Sequence, residues 1–199
     1  MALITVAGSK HSPGATTLMM GLAATWPATA GRRLLVVEAD PGGGVLAARY
    51  EALRGERTLA DTALMLRRGF RIEDVLASSR RMWGWLPVVV TPLPPRQAYE
   101  ALAKREGAGG APAAERLAVG LAGCPDVDVV VDIGRLTPQS PALPFIEQAD
   151  VTLLVTRLGV RIGGRDAGAH RRPPRGCPHR RPRAGGSGGR ALRRRDGGQ

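Results

Sequence analysis

Short apolar runs alternate with segments of helical periodicity along the first 158 residues. The apolar runs predict buried strands at residues 3–6, 34–37, 85–90, 127–131 and 151–155. The segments between them, bounded by Gly and Pro, predict helices at residues 14–28, 45–53, 59–68, 72–78, 97–106, 112–121 and 141–148. Strands that alternate with helices predict an α/β fold, a mostly parallel β-sheet with helices on both faces.

Three residues lie at or just beyond the ends of predicted strands: Gly8, Asp40 and Asp132. Right-handed crossovers place the loops that follow parallel strands at one edge of the sheet. Ligands in such sheets bind at the carboxyl ends of the strands. We therefore expect these three residues to lie close together at a binding site.

The segment 7–18, AGSKHSPGATTL, joins the first predicted strand to the first predicted helix. A glycine-bearing turn between a strand and a helix is the layout of a phosphate-binding loop, in which backbone N–H groups and the helix N-terminus hold an anion. The common pattern is G-x-x-x-x-G-K-[ST]. Gly14 and Thr16 fit it, whereas Ser9 stands at the first glycine and Ala15 at the lysine.

Together with Asp40-Pro41 and the strand that ends at Asp132, this loop resembles that of the MinD/ParA family of P-loop ATPases, which reads K-G-G-x-G-K-T-T. Lys10 matches the family's signature lysine, and Thr16 and Thr17 match its two threonines. The residues that differ are His11 and Ser12 in place of two glycines, Pro13 at the variable position, and Ala15 in place of the loop lysine. The resemblance covers roughly residues 1–160 and implies a P-loop NTPase-like fold.

The resemblance also implies ATP and Mg²⁺ as cofactors and a nucleotide-bound homodimer. The residues that it places around the nucleotide are Gly8, Ser9, Lys10, His11, Ser12, Pro13, Gly14, Ala15, Thr16 and Thr17. It gives Asp40 and Lys10 catalytic roles, Asp40 by positioning the attacking water and Lys10 by reaching the phosphates of the partner subunit. It places Thr16 and Asp132 at Mg²⁺, Asp132 through water.

Each of these residues also has a structural interpretation. Thr16 can hydrogen-bond within the first turn of its helix, and Asp40 and Asp132 can cap a neighbouring turn or helix. Lys10 can be a solvated lysine on a turn, and His11 can simply fill the loop. Because Ala15 offers no charge to the phosphates, we expect nucleotide affinity to fall by roughly tenfold to a hundredfold.

Two hypotheses about function follow. In the first, the chain is a MinD/ParA-like ATP-binding protein, a possible ATPase, that works with partition, division-site or pilus machinery. In the second, it is a degenerate relative with weak or no nucleotide binding that acts as a scaffold or localisation factor. Two cysteines and no apolar leader predict a cytoplasmic protein, with a location peripheral to the membrane or the nucleoid as the alternative.

The charge of the chain lies in its last 40 residues. Net charge is +12, of which residues 161–199 contribute +10, from 12 Arg and 2 Asp. We divide the chain into an incomplete P-loop domain, residues 1–158, and an Arg/Gly/Pro-rich tail, residues 159–199, which is expected to be disordered. The tail fits a shifted or truncated reading frame, a basic arm for DNA or anionic membrane, or a linker.

Overall fold

The computed structural model describes residues 2–9, 14–27, 32–105, 107 and 109–157, all within one compact unit, Met1–Gly159. The predicted tail, residues 159–199, lies outside the described residues. The strands are β1 Leu3–Gly8, β2 Arg33–Glu38, β3 Arg80–Met82, β4 Leu86–Val89, β5 Val127–Arg135 and β6 Val151–Val155. The α-helices are α1 Ala15–Ala24, α2 Leu46–Arg49, α3 Leu59–Met65, α4 Ile72–Ser78, α5 Pro95–Ala103, α6 Ala113–Ala122 and α7 Leu143–Glu147.

The described strands form one sheet in the order β3-β4-β2-β5-β1-β6. All neighbouring pairs are parallel except β3 and β4, which form an antiparallel hairpin. Strand β1 lies between β5 and β6, and β5 lies between β1 and β2. The carboxyl ends of β1, β2 and β5 therefore lie side by side, as the sequence predicted.

Each face of the sheet is covered by helices over an aliphatic core. Along β2, Leu35 and Val37 face one core while Leu34 and Val36 face the other. The first core also contains residues from α3 to α7, and the second contains residues from α1 and α2. The predicted α/β fold with helices on both faces is confirmed.

The prediction of five strands missed β3. This strand has three residues, two of them arginine, so it gives no apolar run. It forms because Trp83 and Gly84, both at positive φ (51° and 78°), make the tight turn that pairs it with β4.

Several predicted boundaries were also wrong. The helix expected over residues 45–53 is interrupted at Tyr50, whose extended backbone (φ −121°, ψ 113°) separates α2 from a 3₁₀ turn at Glu51–Leu53. Helix α5 begins at Pro95, two residues before the prediction, because proline is well suited to a first helical turn. No helix in the described parts of the chain is long and apolar enough to cross a bilayer.

Two helical glycines predict opposite responses to the same substitution. A Cβ at Gly120 in α6 would collide with the ring of Phe70, whereas one at Gly21 in α1 would meet nothing within 4 Å. We expect Gly120→Ala to lower the free energy of unfolding by about 1–3 kcal/mol. The matched control, Gly21→Ala, should raise it by about 0.5–1 kcal/mol because alanine favours helix. Urea unfolding followed by circular dichroism measures the stability of both variants. Equal effects at the two positions would contradict the packing of Phe70 against Gly120.

Candidate functional site

A cavity of about 490 Å³ lies at the carboxyl ends of β1, β2 and β5, beside the start of α1. The residues that line it are Gly8, Ser9, Gly14, Ala15, Thr16, Thr17, Asp40, Val45, Arg49, Gly134 and Arg135. Six of the ten predicted loop residues are among them. The other four, Lys10, His11, Ser12 and Pro13, lie outside the described residues.

The two ends of the loop are fixed by the sheet and by α1. Ser9 N donates to Val155 O on β6 at 2.9 Å, and Leu136 N donates to Gly8 O at the same distance. Gly14 precedes α1 with φ of 122°, a conformation that side-chain-bearing residues rarely adopt. Glycine at this position is therefore required by the backbone.

The first turn of α1 is tied directly to the end of β5. Thr16 Oγ1 donates to Asp132 Oδ2 at 2.6 Å, and Gly134 N donates to Asp132 Oδ1 at 2.8 Å. Asp132 is only 1% exposed. Thr16 and Asp132, separated by 116 positions in the chain, are thus brought into contact.

Hard oxygen atoms are the ligands that Mg²⁺ prefers, and it commonly binds through one or two protein groups together with water and phosphate. The hydroxyl of Thr16 and the carboxylate of Asp132 supply such atoms. Within the described ranges no cluster of three or more His, Cys, Asp or Glu side chains could hold a metal ion. One hydroxyl and one carboxylate are donors of the kind that hold a magnesium ion together with a phosphate group.

Asp40 lines the cavity from the β2 side and is half-buried. Its Oδ1 accepts a hydrogen bond from Gly42 N at 2.7 Å, which holds the carboxylate over its own turn. The carboxylate also packs against Gly134, where an added Cβ would collide with it. The absence of a side chain at Gly134 therefore lets Asp40 approach the end of β5.

Glu38, the last residue of β2, bonds to the backbone of neighbouring segments. Its Oε1 accepts from Val45 N at 2.7 Å and Leu46 N at 2.9 Å, and its Oε2 accepts from Thr91 N at 3.1 Å. The side chain is buried and does not line the cavity. Glu38 therefore anchors the start of α2 and the segment after β4.

Burial raises the pKa of each of these three carboxyl groups. Desolvation is the largest cause for Glu38, Asp40 and Asp132. Hydrogen bonds from backbone N–H groups lower the pKa of all three, and the hydrogen bond from Thr16 also lowers that of Asp132. The charge of Asp132 further raises the pKa of Glu38 and of Asp40. The charged forms of these carboxyl groups are therefore disfavoured at this edge of the sheet.

Sequence reasoning missed four residues that line the cavity: Val45, Arg49, Gly134 and Arg135. Gly134 and Arg135 follow Asp132 in the chain closely enough that a search of the same strand end would have found them. Val45 and Arg49 gave no such signal, because both fell inside a predicted helix whose orientation was unknown.

The raised pKa of Asp132 predicts how its replacement changes stability with pH. Between its unfolded and folded pKa values the folded state binds more protons, so this group destabilises the fold progressively as pH rises through that range. Asp132→Asn removes the charge, and its carboxamide can accept from Gly134 N and donate to Thr16 Oγ1. We expect the variant to unfold at higher urea concentration than the wild type at pH 7.

That advantage of Asp132→Asn should shrink as the pH is lowered from 7 to 4, because protonation of the wild-type carboxyl group removes its buried charge and the pKa of that group is raised. The control is Asp126→Asn, which alters an exposed carboxylate just before β5 and should leave the unfolding midpoint unchanged at both pH values. A variant that is less stable than the wild type by the same amount at both pH values would contradict the prediction.

Comparison with known proteins gives structural neighbours only. No protein-family model matches the sequence, and no curated protein matches it. The structure is similar to a ParA family ATPase from Chlorobium tepidum TLS, with a TM-score of 0.58 and 15% identity over 77% of this chain and 59% of that one. It is also similar to the chimerical protein CapA2B2, with a TM-score of 0.50 and 20% identity over 78% of this chain and 63% of that one.

A third neighbour is a cobyrinic acid a,c-diamide synthase from Mycobacterium smegmatis, with a TM-score of 0.49 and 20% identity over 78% of this chain and 60% of that one. The chain thus spans less than two thirds of the length of each of these proteins. At 15–20% identity these similarities bear on architecture alone. The chain has the fold of the ParA/MinD-type P-loop ATPases.

Proposed function

We propose that this chain is a ParA/MinD-like protein that binds ATP together with Mg²⁺. The observation that carries the proposal is the contact between Thr16 and Asp132 beside a cavity lined by both ends of the loop. In this fold a hydroxyl at the start of the helix and a carboxylate at the end of a neighbouring strand are the groups that share a magnesium ion with nucleotide phosphates.

Different groups around the cavity would bind the phosphates, the metal ion and the attacking water. Backbone N–H groups at the ends of the loop and at the start of α1 would hold phosphate oxygens, helped by the helix dipole. Thr16 and Asp132 would hold Mg²⁺, Asp132 through water, and the ion would supply positive charge next to the phosphates. Asp40, half-buried at the same cavity, would orient a water molecule for hydrolysis.

The finer parts of the proposal rest on the family resemblance. The structurally similar protein from Chlorobium tepidum is a ParA family ATPase, and from it we extend ATP hydrolysis to this chain. A homodimer formed over the nucleotide, with Lys10 reaching the partner's phosphates, belongs to the same proposal. So do a cytoplasmic location and a role with chromosome-partition, division-site or pilus machinery.

One observation favours the second candidate function, a scaffold or localisation factor with weak or no nucleotide binding. Ala15, at the position of the loop lysine, is buried at the start of α1 and brings no charge to the cavity. The two candidates differ in whether nucleotide saturates the site, which a titration measures directly.

We expect the full chain to bind ATP in the presence of Mg²⁺ saturably below millimolar concentration, as measured by isothermal titration calorimetry. Thr16→Ala removes the hydroxyl beside Asp132 and should weaken the Mg²⁺-dependent part of binding by about tenfold. Thr25→Ala, at the other end of α1, removes a hydroxyl that donates to Gly21 O and serves as the matched control. It should bind as the wild type does.

Failure of the wild-type chain to saturate at millimolar ATP would remove the nucleotide-binding proposal and leave the scaffold. Equal binding by the wild type and Thr16→Ala, with and without Mg²⁺, would instead remove the magnesium site while leaving nucleotide binding in place.

A further inference from the structure

The cavity needs a positive charge that its loop does not supply at position 15. A bound triphosphate would bring several negative charges next to Asp40 and Asp132, in a site where burial already disfavours the charged carboxylates. Ala15 contributes only a methyl group. Among the described residues that line the cavity, the cationic side chains are those of Arg49 and Arg135.

We propose that Arg135 takes over the role of the missing loop lysine and binds the nucleotide phosphates through its guanidinium group. This inference rests on the proposed function. A guanidinium group can donate two parallel hydrogen bonds to a phosphate, so it can replace the charge of a lysine and add directionality.

The backbone holds Arg135 next to the loop. It is the last residue of β5, its Cα is paired with that of Gly8, and the following residue donates to Gly8 O at 2.9 Å. Gly8 is the last residue of β1 and lines the cavity. The base of the Arg135 side chain is therefore anchored beside the point where the loop leaves the sheet.

The end of β5 also positions Arg135 relative to the proposed metal ligand. Asp132 and Arg135 are separated by Ile133 and Gly134, and Gly134 has φ of 63°. Ile133 faces the core, so the strand is still held by packing up to that point. The end of β5 thus carries both Asp132, the proposed ligand of the metal ion, and Arg135, the proposed ligand of the phosphates.

The guanidinium group of Arg135 is available for a ligand. The residue is exposed, and within the described part of the chain its side chain makes no hydrogen bond and no ion pair. An arginine that lines a cavity without an internal partner can engage a phosphate without first breaking an existing salt bridge.

Arg49 is the alternative source of charge. It is the last residue of α2 and lines the cavity together with Val45 and Asp40 from the β2 side. Its backbone N–H is bonded within its own helix, to Val45 O at 3.0 Å, and not to the strand that carries the loop. We therefore assign the lysine-like role to Arg135, which is anchored to β1, and expect a smaller contribution from Arg49.

A double-mutant cycle tests the assignment with the full chain and ATP–Mg²⁺ in isothermal titration calorimetry. Arg135→Ala should weaken binding by about tenfold to a hundredfold, the loss expected for one charge-assisted hydrogen-bonding group. Ala15→Lys in that background should restore most of the lost affinity. In the wild-type background Ala15→Lys should improve affinity by a smaller factor, because the charge is already supplied.

Two further substitutions keep the test valid if a lysine at position 15 disturbs the fold. Arg135→Lys keeps a positive charge and should lose less affinity than Arg135→Ala, whereas Arg135→Glu should lose more. Arg68→Ala, at an exposed arginine that lines a different cavity, is the matched control and should bind as the wild type does. Thermal unfolding by circular dichroism checks that each variant is folded.

The outcomes separate this inference from the proposed function. Saturable binding by the wild type with equal affinity in Arg135→Ala overturns the role of Arg135 and leaves nucleotide binding intact. A loss confined to Arg49→Ala does the same and moves the role to Arg49. No binding by the wild type overturns both proposals together.

Discussion

Two buried carboxylates at paired positions determine how this edge of the sheet is built. Glu38 at the end of β2 is paired with Asp132 on β5, and each is only 1% exposed. Acidic groups taken out of water this close together are costly unless hydrogen-bond donors surround them. The start of α2, the N–H of Thr91, the hydroxyl of Thr16 and the N–H of Gly134 are those donors.

The same requirement explains the glycines around the cavity. At Gly44 an added Cβ would press on the Glu38 carboxylate, and at Gly134 it would collide with that of Asp40. The backbone at these two glycines therefore lies directly against the carboxyl groups. What remains open to solvent is the half-buried Asp40, the loop ends and the arginines.

Much of this arrangement could be predicted from the sequence, because it depends on strand runs and on which residue ends each strand. The apolar runs before Gly8, Asp40 and Asp132 were sufficient to place these residues at one edge of a parallel sheet. The functional roles of the loop residues stay predictions, those of Lys10, His11, Ser12 and Pro13 included.

Other features depended on contacts that periodicity does not encode. Glu38 bonds to backbone groups 7, 8 and 53 positions away, which no local pattern reveals. Strand β3 was missed because pairing with β4 through the turn at Trp83, not hydrophobicity, makes it a strand. Arg135 follows Asp132 closely in the chain, but its position beside the loop depends on pairing with Gly8 across the sheet.

Among the described strands, β6 lies at the margin of the sheet, with Val151 and Leu154 about half exposed (46% and 50%). A margin strand offers unpaired backbone groups to which another stretch of polypeptide can add. The bond from Ser9 N to Val155 O joins this margin to the loop. A segment that paired with β6 would therefore also restrain Ser9, where the loop begins, and such pairing and ligand affinity would be thermodynamically linked.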